Sequence, residues 1–475
     1  MDKIRKFFVI LFGSLSLFFA IVAVHNHFYE KKLLQSSKNF LHWSNDISNS
    51  AKKANKLVFA VVDNIKLSPK IRKILDKHFA ITVLDRKENY ADFEALNYVL
   101  KKYTRSKNDV ACAIFTPEMK PVYVMSKINE RKLEKILPAI KKTYANNPEQ
   151  FLNRVEANVV SFKNEEKVLS HFYEMFSATG VGAFHSIAHS MNFTSISNFF
   201  APKNDVYETE ILKLCNSDTD NIPLAILTEN ARLTFRIYKN HQAITQHLLT
   251  KLKKRFVKEK NNLSKLLIAR AISEVTSTTN QELRVIADAL LNENTKKSVA
   301  ENALTLSILS KAYFVYEKEE YLQKASEIFD TLKSIIEDSQ TQILTFRNSE
   351  KIYTKENLNA FDFAIIANSV CDYAKVSTDE SAIDIAVNAI KNLDSNFAFN
   401  HFWTLNSQHS TSANFARITI VDDNNIPSYI GEANQAIIKI KRKLGKENIS
   451  PVERNIERLA RNYTLSRASI KLAYY

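Results

Sequence analysis

The first strong pattern along the chain is an uncharged apolar run, FFVILFGSLSLFFAIVAV from Phe7 to Val24, placed directly after Lys3, Arg5 and Lys6. As a helix rising 1.5 Å per residue it is long enough to cross a bilayer. Basic residues that stop where the run begins predict a cytoplasmic N-terminus and translocation of everything after Val24. The run is longer than an ordinary signal-peptide core, and Ala20 to Ala23 makes a poor small-x-small cleavage site, so a retained single-pass anchor in the inner membrane is expected.

Beyond a polar linker the period changes. LVFAVV (Leu57 to Val62), AITVLD (Ala80 to Asp85), ACAIF (Ala111 to Phe115) and VYVM (Val122 to Met125) read as short buried strands. Helical patterns at Ile47–Ala54, Pro69–His78 and Tyr90–Tyr103 separate or precede them, and Glu130–Tyr144 follows. Thr116 to Pro121 joins the last two strands as a hairpin. This β-α-β then β-β-α order over about a hundred residues predicts a thioredoxin-like domain.

From about Asn153 the pattern is helical. Ile268, Ala271, Ile272 and Val275 form one stripe, and Leu283, Ile286, Ala287, Leu290 and Leu291 another. Helices over 300–317 and 321–336 follow, then 361–374 paired with Ile383, Val387 and Ile390, then 430–444 paired with 452–472. Such hairpins close either as an open solenoid or as an α/α toroid. The long polar connections 340–353 and 396–425 favour the ring, because solenoid repeats keep a short fixed period. The expected fold class is therefore α+β: an anchor over 1–28, a thioredoxin-like α/β domain over 29–150 and an all-α toroid of helical hairpins over 151–475.

Composition narrows the function. Five glycines in 475 residues exclude Gly-rich phosphate loops. Cys112, Cys215 and Cys371 are isolated and odd in number, which excludes a disulfide framework and a Cys-x-x-Cys pair. The net charge of +15 comes mostly from dispersed lysines on helical faces, as in KLKKRFVKEK (251–260), without a recognition motif, so no nucleic-acid partner and no cofactor are expected.

The stretches LHWSNDISNSAKKANKLVFAVV, KIRKILDKHFAITVLDRKENYADFEALNYVL and AIFTPEMKPVYV resemble the N-terminal domain of the thioredoxin-domain family that includes spermatogenesis-associated protein 20 and its bacterial relatives. IPLAILTENARL, ITIVDDNNIPSYIGEANQAII and GVGAFHSIAHSMNFT are similar to segments of that family's six-hairpin glycosidase-like toroid. The resemblance implies a degenerate member. Where the family carries Cys-His-Trp-Cys-His, this chain has a deletion between Val62 and Asn64. Val110 stands at the place of the family's cis-proline and is expected to be trans. Leu224 to Thr228 replaces the family's His-Phe-Glu-Lys-Met.

The candidate site residues follow from chemistry. Asp422, Asp423 and Glu432 flank Pro427 and Ser428 and are the carboxylates best placed for glycosidic acid–base work, although a DDNN turn and a helix first turn explain them structurally. His185 and His189, four apart, are the metal-ligand candidates, without an acidic third ligand nearby. His401, Trp403 and Ser428 are candidates for a ligand loop at the ring mouth, as are Phe402 and His409, against the simpler reading that the aromatics pin the loop. The basic C-terminal segment 439–467 is a solvated face or a contact for anionic head groups. The reading that results is a membrane-anchored, extracytoplasmic, non-catalytic protein that binds a protein or glycan. The alternatives are a carbohydrate-active toroid enzyme of glycosidase or sugar-epimerase type and a helical-repeat peptide adaptor.

Overall fold

The structure, a computed structural model, describes residues 41–163, 168–169, 222–337 and 358–474, apart from short breaks that include 64–66, 238–241, 276–280, 293–297, 411–415 and 458–467. The apolar run Phe7–Val24 lies outside these residues, and among the described ones no helix is long and apolar enough to cross a membrane. Two compact units are formed, one by residues of 1–89 and 108–157, the other by residues of 90–107 and 158–475. The division differs from a single break at residue 150, since 90–107 cluster with the helical unit.

The first unit contains β1 (Leu41–His42), α1 (Asn45–Ala54), β2 (Leu57–Val62), α2 (Pro69–His78) and β3 (Phe79–Leu84). Helix α3 (Tyr90–Thr104) comes next in the chain, followed by β4 (Cys112–Phe115), β5 (Pro121–Met125), α4 (Glu130–Asn146) and α5 (Pro148–Lys163). The strands form one sheet in the order β1-β3-β2-β4-β5, with β1, β3 and β2 parallel and β4 and β5 antiparallel to their neighbours. The central strand β2 is buried throughout, as its unbroken apolar run requires. Helix α2 starts where Ser68 Oγ accepts from Ile71 N–H and Pro69 occupies the first turn. It runs without a linker into β3, which shifts that strand one residue earlier than its sequence pattern indicates. Leu57, Phe59, Val61, Ile71, Leu75, Ile81, Ile114, Leu133 and Leu137 share one apolar core. Trp43 packs on Phe115 with ring centroids 5.4 Å apart. Cys112 is buried inside β4, and burial pushes its thiol up to about 12. No cis peptide bond occurs among the described residues, and Val110 is buried.

In the second unit β6 (Val168–Leu169) is followed by α6 (Leu224–Ile237), α7 (Gln242–Lys258), α8 (Asn262–Ile272), α9 (Gln281–Leu291), α10 (Val299–Tyr316), α11 (Glu319–Glu337), α12 (Ala360–Tyr373) and α13 (Ser381–Asn396). The small hairpin β7 (Ala398–Phe399) and β8 (Phe402–Trp403) leads to β9 (Thr419–Ile420), which pairs with β6. Helix α14 (Tyr429–Leu444), the short α15 (Ala468–Lys471) and a 3-10 turn (Leu472–Tyr474) end the fold. Helices α6, α8, α10, α12 and α14 pack each on the next, and α15 with its 3-10 turn packs on both α14 and α6. The inner circuit therefore closes, which rules out the open solenoid for the described helices.

Burial follows the circuit. Helix α12, AFDFAIIANSVCDY, is buried at nearly every position because it has the lumen on one side and an outer helix on the other. Helix α11 lies outside and buries only Tyr321, Ala325, Phe329, Leu332, Ile335 and Ile336. The closure needs one glycine. A Cβ on Gly431 of α14 would lie 2.1 Å from Ser469 Oγ, so the backbone of α14 and the C-terminal segment approach closely only because Gly431 has no side chain.

Candidate functional site

Each inner helix carries polar or charged residues at spacings of three or four: Glu229, Arg232 and Arg236 on α6, Arg270 on α8 with Glu274 just beyond it, Ser307 and Lys311 on α10, Asn368 and Asp372 on α12, and Glu432, Gln435 and Lys439 on α14. One turn of helix separates the members of a stripe, so they share a face. The circuit turns all five faces together. Arg270 donates to both oxygens of Glu432, Nη1 to Oε2 at 2.9 Å and Nη2 to Oε1 at 2.6 Å, and Nη2 also reaches Glu229 Oε1 at 3.0 Å. Arg232 donates to Glu229 Oε2 at 2.6 Å, Glu274 Oε1 at 3.0 Å and Gln435 Oε1 at 3.1 Å. Asn368 donates to Glu432 Oε2 at 2.6 Å. Glu229, Arg232, Arg270 and Glu432 are all almost wholly excluded from solvent.

Towards the C-terminal ends of α6, α8 and α12 the composition shifts to cations. Glu274 accepts from Arg236 through both oxygens at 3.0 Å and from Lys311 at 2.7 Å. Asp372 accepts from Lys439 at 2.6 Å, Lys375 at 3.1 Å and Ser307 Oγ at 2.8 Å. Burial alone would raise the Asp372 and Glu274 carboxyls, but these cations hold both well below the usual range. Glu432 is likewise held low by Arg270 against the effect of burial. Burial lowers Lys439 to about 8, with Asp372 opposing and Lys375 adding to the shift.

The residues singled out from the sequence are placed as follows. Asp423 is buried, with Oδ1 accepting from Ser428 N–H at 2.8 Å and Oδ2 from Ser469 N–H at 3.0 Å. Burial, with Glu229 adding, raises its carboxyl well above the usual value. Neither it nor Glu432 sits in a solvated turn or on an exposed helix end, and both belong to the interior of the ring. Ser428 is buried, its Oγ donating to Ile420 O. Trp403 corrects the ligand-loop expectation: it is fully buried, its Nε1–H bonds Asp394 at 2.9 Å, and it pins the loop instead of lining a mouth. Asp422, His185, His189, His401 and His409 lie outside the described residues, and no cluster of metal-ligand type occurs among the described ones. The sequence reading passed over Arg232, Arg270, Glu274, Asp372 and Lys439. The signal was present as charges recurring one helical turn apart within helices that bury most of their length.

No family model and no curated protein matches the sequence, so the resemblance to the thioredoxin-domain family gains no support from either comparison. Solved structures do match part of the chain. An inactive variant of an α-1,6-mannanase of Salegentibacter sp., solved with α-1,6-mannotetrose, is 11% identical over 52% of this chain and 87% of its own, with a TM-score of 0.40. A family 76 glycoside hydrolase from a bovine Bacteroides thetaiotaomicron strain is 13% identical over 53% of this chain and 66% of its own, with a TM-score of 0.36. A family 88 glycosyl hydrolase from Bacteroides vulgatus is 9% identical over 61% and 83%, with a TM-score of 0.34. By name these neighbours are carbohydrate-active enzymes.

Proposed function

We propose that the chain is a membrane-anchored, extracytoplasmic binding protein in which a thioredoxin-like domain without a thiol pair precedes an α/α ring that holds a ligand without cleaving it. The observation that carries this reading is the state of the lumen. Glu229, Glu274, Asp372 and Glu432 are each engaged by arginine, lysine or amide donors, and Asp423 is buried with both oxygens accepting backbone N–H groups. Acid–base cleavage needs a carboxyl free to exchange its proton with a substrate, and a pair of them with room for a sugar between. The strand order β1-β3-β2-β4-β5 supports the thioredoxin-like domain. The basic residues before Phe7 support the anchor.

One observation favours a second reading, a carbohydrate-active enzyme. Burial pushes the Asp423 carboxyl up while Arg270 holds Glu432 down, and two acids shifted in opposite directions are what glycoside chemistry uses. The activities named for the structural neighbours would enter this chain under that reading alone. The full chain in detergent, incubated with neutral and acidic oligosaccharides, separates the two readings. Binding without new reducing ends or unsaturated products is expected, with a ligand at 100 times its dissociation constant adding about 2.7 kcal/mol of stability. Turnover abolished by Asp423→Asn would replace the binding reading with the enzyme.

A further inference from the structure

Among the described side chains joined by ion pairs in and beside the ring interior, six are cations, Arg232, Arg236, Arg270, Lys311, Lys375 and Lys439, and four are acids, Glu229, Glu274, Asp372 and Glu432. The surplus is not spread evenly. Arg232 and Arg270 are matched by Glu229 and Glu432 in the closed part of the lumen, where their side chains are 1% exposed. The remaining four cations face only Glu274 and Asp372. Their side-chain exposure rises along the wall from 13% at Lys439, 14% at Lys311 and 18% at Arg236 to 59% at Lys375. The excess charge therefore stands at an end that opens to solvent. A half-enclosed wall of one sign concentrates the field there and draws counter-ions in.

We infer that this cationic end, formed by Arg236, Lys311, Lys375 and Lys439, is a binding site for a doubly charged oxyanion such as a phosphate monoester. The inference rests on the binding reading above and names the ligand chemistry for that same ring. Two negative charges match the surplus of two. Arg236 and the lysines supply N–H donors on several sides, which suits a tetrahedral anion better than a single flat carboxylate. The C-terminal carbonyls of α6 and α12 lie at this end and attract part of the positive charge through the helix dipoles. Burial, with neighbouring cations adding, lowers Lys311 and Lys439, and an anion beside them would favour their charged forms.

The test is calorimetric titration of the full chain in detergent with inorganic phosphate, glucose 6-phosphate and glucose. Saturable binding of one or both phosphates, with none for glucose, is expected. Preference for the sugar phosphate identifies an ester as the source, and equal binding identifies free phosphate. Lys375→Glu should weaken binding at least tenfold in a protein that circular dichroism shows to be folded, with some loss of melting temperature because Asp372 loses a cationic partner, and Lys375→Arg should retain both binding and melting temperature. Absence of phosphate binding, or binding indifferent to Lys375→Glu, would overturn the site and leave these cations as partners of helix termini only. Oligosaccharide turnover would sink the binding reading separately, because it does not depend on Lys375.

Discussion

The two units build their interiors from opposite materials. In the sheet unit the centre is Phe59, Leu75, Leu133 and their aliphatic neighbours, and nothing charged is needed to complete it. In the ring the facing sides of five helices carry buried arginines, lysines and carboxylates joined in ion pairs, beside the apolar side chains that pack between helices. An aliphatic core loses locally when one member is trimmed. An ionic core shares its partners, so removal of one ion strands several others, and that difference predicts how each unit fails.

The largest effect is expected at Arg270. Arg270→Ala leaves Glu432 and Glu229 buried with unmatched charge and should cost about 3–5 kcal/mol in a urea unfolding measurement. Adding Glu432→Leu to Arg270→Met should recover much of that loss, since both charges leave together. If the single change is as mild as the double, the lumen is not a coupled network. In the sheet unit Leu75→Ala should cost about 2–5 kcal/mol by the same measurement, with no second-site charge change able to restore it. Gly431→Ala forces the C-terminal segment away from α14 and should cost about 1–3 kcal/mol, read as a lower melting temperature. Ser298→Ala removes the capping box that starts α10, with an expected loss of about 1 kcal/mol.

The smallest effect is one of pH. A free lysine keeps its proton to about 10.4, whereas Lys439 in the folded ring gives it up near 8. Between those values the unfolded chain binds more protons than the folded one, so Lys439 makes stability rise with pH across that window. Its charge destabilises the ring below about 8, and that penalty is relieved as pH climbs. Lys439→Arg, which cannot lose its proton, should flatten the rise in thermal melts between pH 7.5 and 10.

Most of the first unit was readable in advance because its signals are local. Leu57–Val62 and Pro69–His78 match the structure end to end, since a continuous apolar run and a Ser-Pro helix start carry their own boundaries. Helices α10, α12 and α14 were likewise visible to within a residue or so. The site was not. Asp423 and Glu432 were picked out by type, but their partners Ser469, Arg270 and Asn368 lie 46, 162 and 64 positions away. Trp403 could be read as part of a ligand loop or, more simply, as an aromatic that pins its loop, and its burial and bond to Asp394 decide for the second.

The order of strands and helices, the lack of a Cys-x-x-Cys pair and the charge surplus are properties of the sequence, because each depends on residues near one another or on composition alone. Whether the helical hairpins close, which charges meet and where the two unmatched ones are left could be decided only in three dimensions. The short C-terminal segment fitting against Gly431 turns separate polar stripes into one interior, and no local pattern records that meeting.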